Sequence, residues 1–304
     1  PGKMAGMAEQ FTLEHWLYLF HAGRAPQPST ELAPWPIAVT EGAVLAEQLR
    51  EWRLTDEYGQ PTEELDALMS LLTTAEVRVW GAMRFPLRSE TVTYELTEEQ
   101  KSWGLDEEVL VVPRVPMMVA WTEEHTAVVQ STPEALTVEI FTSSEAAADV
   151  TAGLLRLLDP ERKWKPRRMP PIKVPREVVA DTGMSLADGV DVKDARGLFK
   201  ERMAAAGVTG GRWEELAEFA ADQPYAIAQF AVTVTDGTRT VTAEDSALAV
   251  TFTAAEEPTA VVVGSARSPM GAWLATFEGL TEKSLATAVG SLVREGRGAL
   301  RKKS

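Results

Sequence analysis

Apolar residues in the first quarter of the chain recur at helical spacing. Phe11 to His21 is apolar nearly all round, through Phe11, Leu13, Trp16, Leu17, Leu19 and Phe20. A helix of that kind belongs inside a core. After a loop holding Pro26, Pro28, Pro34 and Pro36 around Trp35, Gly42 to Trp52 puts Val44, Leu45, Leu49 and Trp52 on one stripe. Thr62 to Leu72 carries Leu65, Leu68, Met69 and Leu72, again a one-faced helix. The period then changes to two. Ala75 to Phe85 alternates through Val77, Val79, Gly81, Met83 and Phe85. Thr91 to Leu96 sets Val92, Tyr94 and Leu96 against Thr91, Thr93 and Glu95. Val109 to Trp121, Thr126 to Ser131 and Ala135 to Thr142 read as three more strands. Pro113 and Pro116 mark the first of these as an edge or bulged strand. Ser144 to Leu158 returns to helix, with Ala147, Val150, Leu154, Leu157 and Leu158 inward, and Asp159-Pro160 ends it.

The second half repeats this order. Lys193 to Ala206 is a helix burying Ala195, Leu198, Phe199 and Met203, and Arg212 to Ala221 is another, burying Trp213, Leu216, Ala217 and Ala220. Phe219 lies off that stripe. Tyr225 to Val234 is a strand, and Asp236-Gly237 is a hairpin signal. Arg239 to Glu244, Ala247 to Thr253, Thr259 to Ala266 and Ala272 to Phe277 follow as strands. Thr281 to Glu295 closes the half as a helix, and Arg294 to Lys303 reads as a frayed, soluble tail. Both halves thus run helices, about five strands, one helix. The expectation is an α+β fold: a mainly antiparallel sheet with helices segregated from it, and an internal duplication of the kind that packs around a pseudo-two-fold axis. Residues 1–158 and 177–304 form the halves, and 159–176 is a linker with five prolines and seven bases against two acids. Neither half has enough helices to cover its strands alone, so one continuous sheet shared by both is expected.

Composition narrows the function. The 304 residues carry 45 acidic and 30 basic side chains, a formal charge of -15, which disfavours general binding to nucleic acid or anionic lipid. Cysteine is absent, so disulfides, thiol nucleophiles and Cys-type metal centres are excluded. The most apolar early stretch, Phe11 to Phe20, is far shorter than the roughly 20 residues a membrane helix needs, and it lacks the form of a signal peptide. The expectation is a cytoplasmic protein without membrane insertion.

Chemical signatures are missing. Neither a dinucleotide-binding nor a P-loop glycine pattern occurs, nor do the G-x-S-x-G and H-E-x-x-H motifs. Gly207-Val208-Thr209-Gly210-Gly211 lies between two helices and reads as a cap and turn. His15 and His21 sit on the apolar first helix and read as packed or terminal. Glu123-Glu124-His125 reads as a solvated turn, with an acid–base pair as the alternative. Arg162 to Arg168 interleaves bases with Trp164, the short form of a nucleic-acid patch, though a solvated linker suits the acidic chain better. No metal, nucleotide or other cofactor is expected. Glu90 to Glu108 holds seven acids against one base, with Trp103 and Leu105 among them. A loop that long is either a mobile acidic loop or a partner-binding one.

Three stretches together resemble the EspG family, cytosolic chaperones of mycobacterial-type (ESX, type VII) secretion. The first is Leu32-Ala33-Pro34-Trp35-Pro36-Ile37. The second runs from Leu49 through Trp52 into Leu54-Thr55-Asp56-Glu57-Tyr58-Gly59-Gln60-Pro61, an L-x-D-x-x-G-x-P turn. The third is Gly271-Ala272-Trp273-Leu274-Ala275-Thr276-Phe277, leading into the last helix. The resemblance spans nearly the whole chain in order and length, and the Ala/Val/Glu/Arg-rich composition suits an actinobacterial source. It implies a pseudo-two-fold α+β fold with N- and C-terminal helical bundles against a central, mainly antiparallel sheet, and a non-catalytic function: binding the hydrophobic tip of a PE–PPE heterodimer through the PPE subunit, keeping the pair soluble and delivering it to secretion. The implied contact surface is the central sheet with the C-terminal bundle. Combined with the acidic loop, this gives Val92, Tyr94, Trp103, Leu105, Phe199, Met203, Trp213 and Phe219 as partner-binding candidates. Phe219, off its stripe, is the foremost of them. The competing functions are an enzyme using scattered carboxylates or His125, and a nucleic-acid binder using the linker. Self-association is left open.

Overall fold

The computed structural model describes residues 11–29, 32–33, 40–93, 97, 108–179, 192–205, 207, 212–221, 224–237, 239–243, 247–254, 257–268 and 270–302. Three helices open it: α1 (Leu13–His21), α2 (Gly42–Glu51) and α3 (Glu63–Thr74). Thr62 starts α3 by accepting the amide of Leu65. The L-x-D-x-x-G-x-P stretch between α2 and α3 folds on itself. Asp56 Oδ1 accepts the amides of Tyr58 and Gln60, and Thr55 bridges to Pro61. Gly59 has φ +76°, and a β-carbon there would lie 2.1 Å from Arg24 Nη1, which donates to the Gly59 carbonyl. The motif therefore encodes a turn pinned to the α1 loop.

Strands β1 (Val77–Arg84), β4 (Arg114–Trp121), β5 (His125–Ser131) and β6 (Leu136–Thr142) form the N-terminal half-sheet. The small ribbon β2 (Glu90–Thr93) and β3 (Glu108–Val111) stands between β1 and β4. The expected single strand from 109 to 121 is thus two strands, broken before Arg114. β4 is also central rather than an edge, because it pairs with both β1 and β5. Pro116 is tolerated there because the β5 register begins only at Met117. Helix α4 (Ala146–Leu158) follows. Glu145 caps it by accepting the amides of Ala147 and Ala148.

The C-terminal half consists of α5 (Val192–Ala205), α6 (Arg212–Ala221), β9 (Pro224–Asp236), β10 (Arg239–Thr242), β11 (Leu248–Ala254), β12 (Pro258–Arg267), β13 (Trp273–Gly279) and α7 (Glu282–Lys302). Gly237, at φ +56°, closes the β9–β10 hairpin. The main sheet runs β6-β5-β4-β1-β9-β11-β12-β13, with residues 172–175 as a last strand beyond β13, so the two halves join where β1 meets β9 antiparallel. The order is symmetric about that seam: β1, β4, β5 and β6 on one side answer β9, β11, β12 and β13 on the other. The shared continuous sheet follows.

The expected linker is part of this sheet. β8 (Ile172–Pro175) is its edge strand on β13, where proline is admissible, and β7 (Lys165–Pro166) extends the ladder on β12 where β13 stops. Asp159 ends α4 and turns its carboxylate onto the amides of Lys163 and Trp164. The final helix also exceeds expectation. It continues to Lys302 instead of fraying after Glu295, because Gly296 lies against Val232 and Val234 and Leu300 joins the core. Arg301 and Lys302 in the last turn suit the helix dipole.

Three cores result. α4 and α7 pack side by side on one face of the sheet, over Val79, Val119, Phe230, Val250 and Val262. On the opposite face, α1–α3 cover one end over Met118, Ala120, Ala127 and Val129. Met203 of α5 and Leu216 and Phe219 of α6 cover the other end over Val261, Ala275 and Phe277. Asp149 knits α4 to β4. It accepts from the amide and hydroxyl of Ser144 and from Trp121 Nε1 at 3.1 Å. Burial pushes its carboxyl up, but those donors outweigh burial and hold it below the usual carboxylate value.

Candidate partner-binding surface

The two end bundles leave the middle of their sheet face uncovered among the described residues. Strand register gives the rows across it. One row reads Pro116–Ala82–Gln229–Ala249–Val263–Phe277 over six strands. Its ends, Pro116 and Phe277, are buried under or beside the bundles. Its centre is not: Ala82, Ala249 and Val263 are half-buried and Gln229 is exposed. The next row places Arg114, Arg84, Ile227, Thr251 and Val261 in line, and the row on the other side places Met118, Trp80 and Ala231. The result is a groove with small, mainly apolar residues on its floor. With strands about 4.8 Å apart, the three central strands give a floor about 10 Å wide, the diameter of one helix with its side chains.

Trp80 forms the wall toward the N-terminal bundle. Its ring packs against that bundle's core, and its Nε1 donates to Thr233 Oγ1 at 2.8 Å. Thr233 Oγ1 in turn lies 2.9 Å from Thr242 Oγ1 on β10. The indole is thereby held rigidly with part of its face open, the arrangement that makes aromatic residues effective at interfaces.

The expected site residues distribute unevenly around this groove. Val92 is half-buried on β2, in the ribbon that rises between Arg84 and Arg114. Tyr94, Trp103 and Leu105 lie outside the described residues. Phe199 falls on α5 and Trp213 on α6, but their side chains lie outside the description. Met203 is fully buried, the inward placement its stripe implies. Phe219 is a correction. It does not face outward but is only 9% exposed, edge-on to Phe277 at 6.3 Å, with the Arg167 guanidinium 5.5 Å over its ring. α6 turns Leu216 and Phe219, three residues apart, onto the sheet, so the packed face is rotated from the expected stripe.

Trp80, Ile227, Gln229, Ala249, Arg84 and Arg114 are the residues that sequence reading missed. They occupy the alternate positions of strands whose other face is the core, and such positions read as solvent-facing. The available signal was a tryptophan among them, between Arg78 and Ala82.

The other candidate chemistry is dispersed. His125 is exposed, with Glu124 4.0 Å away. His15 is buried: its Nδ1 accepts the Thr12 amide at 3.2 Å, and its Nε2 meets Gln48 Oε1 at 3.1 Å. Burial, only partly offset by the Gln48 hydrogen bond, lowers its pKa and keeps it neutral. In the basic segment, Trp164 packs against Tyr225 and Phe252, at 5.8 and 4.9 Å between centroids, rather than standing free to stack on bases. Lys163 pairs with Glu161, and Lys165 with Glu257.

No family model matches the chain, and no curated protein sequence matches it. Among solved structures, the chain is similar to EspG5, the type VII secretion system chaperone of Mycobacterium tuberculosis, determined in complex with a PE25–PPE41 dimer. The TM-score is 0.63 at 15% sequence identity, over 93% of this chain and 94% of that one. The two share a fold across essentially their whole lengths. No helix among the described residues is long and apolar enough to cross a membrane.

Proposed function

We propose that this chain is a chaperone of type VII secretion, which holds the hydrophobic tip of a PE–PPE heterodimer in the groove between its two bundles. It binds through the PPE subunit, keeps the pair soluble in the cytoplasm and directs it to its ESX machinery. The reading rests on one observation: the fold of EspG5, a chaperone solved with PE25–PPE41, extends over 93% of a chain whose central sheet offers an open, preformed floor. A groove lined by Ala82, Ile227, Ala249 and Val263 suits a helical tip with exposed apolar side chains. Burying such surface contributes roughly 25 cal/mol per Å² before the cost of association is subtracted. Val92, on the ribbon beside the groove, and Tyr94, Trp103 and Leu105 of the acidic stretch that follows it in sequence are the partner contacts this reading assigns to the N-terminal half. Phe199, Met203, Trp213 and Phe219 belong to the C-terminal bundle that walls the far side. The acidic body disfavours wrong partners more than it adds affinity.

In this reading the chain performs no catalysis. Among the described residues the acidic neighbour of His125 is the exposed Glu124, and the aromatic residue of the basic segment is packed away, so neither competing function gains support. The test is co-expression of the chain with PE–PPE pairs that are insoluble alone. A soluble ternary complex at one copy of each subunit is expected with a cognate pair. Pairs that remain insoluble throughout a broad panel overturn the reading.

A further inference from the structure

Two arginines stand side by side at one end of the groove. β1 ends at Arg84 and β4 begins at Arg114, and the register sets them directly opposite each other. They share the face of Trp80, Ala82 and Gln229, one row beyond Ala82. Like charges directly opposite on antiparallel strands repel. Among the described residues, neither guanidinium has an ion pair, although the chain carries 45 acidic residues. Arg114 Nε is buried and has no hydrogen-bond partner. Three other arginines, one of them nearby, are engaged. Arg88 lies over Phe85 and Tyr225 and donates to the Tyr225 hydroxyl, Arg156 pairs with Glu139, and Arg267 pairs with Glu295.

An adjacent pair of guanidinium groups, one with a buried unsatisfied nitrogen, is costly to the free chain and complementary to an anion. The geometry points to a carboxylate-binding end of the groove: Arg84 and Arg114 together receive an acidic side chain carried by the tip of the bound heterodimer. This rests on the groove being the PE–PPE surface. Ala82, Ile227, Gln229, Ala249 and Thr251 carry no charge, so the floor accepts an apolar tip in more than one orientation. Two forked donors at one end select the orientation that brings a carboxylate to them, and they select among tips by whether they carry one.

The experiment is calorimetric titration of the purified chain with a panel of purified PE–PPE heterodimers, PE25–PPE41 among them, at low and high salt. For a heterodimer that binds wild type, Arg84→Ala and Arg114→Ala are each expected to weaken binding about tenfold or more, with a shallower salt dependence. Charge reversal, Arg114→Glu, is expected to abolish binding, and replacing one tip carboxylate of the PPE subunit by lysine to restore it. Arg114→Met is expected to raise the melting temperature of the unbound chain while weakening binding, since it removes repulsion and an unsatisfied nitrogen. Wild-type binding with both alanine variants unchanged overturns this inference and leaves the proposed function intact. A wild type that binds no heterodimer overturns both. Loss of thermal stability in the unbound alanine variants assigns the arginines to the chain's own acidic ribbon and contradicts the proposal.

Discussion

The carbonyl oxygen of Gln229 fills the space that a β-carbon on Gly81 would need, at 1.8 Å from its ideal position. The two residues lie on β1 and β9, the strands that join the halves, one register step apart. At Gly81 the seam is thus closer than a side chain permits. Gly81→Ala forces the strands apart and is expected to destabilise the chain by about 2 kcal/mol or more. Urea unfolding checks this, and an unchanged midpoint would show that the seam yields without cost.

The hydrogen bond from Trp80 to Thr233 ties the same seam from the groove side. Trp80→Phe keeps most of the packing but leaves Thr233 with only Thr242. The expected loss of stability is about 1 kcal/mol. Binding of a cognate heterodimer should fall more than stability does, because the ring forms a wall of the groove. Equal effects on both would make Trp80 a packing residue alone.

Acid should weaken the fold in two stages with different causes. The pKa of His15 is lowered from 6.5 by burial, so the unfolded chain binds a proton that the folded chain refuses. Stability is then full above about pH 6.5 and falls as the pH drops below it. Asp149 has its pKa lowered despite burial, so its contribution is lost only at the acid end, as pH falls below the ordinary carboxylate value of 3.8 and through its own. Urea titrations of wild type and His15→Gln between about pH 7.5 and 5 check the first stage. The variant should lose less stability over that range, and identical slopes would contradict the assignment.

The linker residues should behave as sheet, not as a tether. Trp164→Ala removes a ring packed on Phe252 and Tyr225 and is expected to destabilise by about 2–3 kcal/mol. Cleavage between 159 and 176 should leave two fragments that co-elute. Fragments that separate and stay folded would contradict the shared sheet.

Much of this fold was legible because its elements keep one period each. Val77, Val79 and their alternates define β1, and Leu65, Met69 and Leu72 define the buried side of α3. The repeated order of elements implied the continuous sheet, and Asp236-Gly237 the hairpin. Where reading failed, tertiary contacts overrode local signals. Pro116 marks an edge only when a neighbour strand needs its amide, and here the pairing of β4 with β5 begins one residue later, at Met117. The basic stretch from Arg294 reads as a frayed tail, but Gly296 is the point where α7 rests on Val232 and Val234. The groove was the least legible part. A half-covered face has the same alternation as a solvent face, and only the placement of two distant bundles decides which strands stay open.

The central claim, that a partner seats on the sheet between the bundles, is most directly tested by photo-crosslinking from the floor. Gln229, exposed at its centre, is replaced by a photoreactive phenylalanine analogue, and Arg297, on the exposed side of α7, serves as the control. With a cognate PE–PPE heterodimer bound, irradiation is predicted to join position 229 to the PPE subunit and to give no product from position 297. Crosslinking from 297 with none from 229 would place the partner on the opposite side of the sheet and contradict the account.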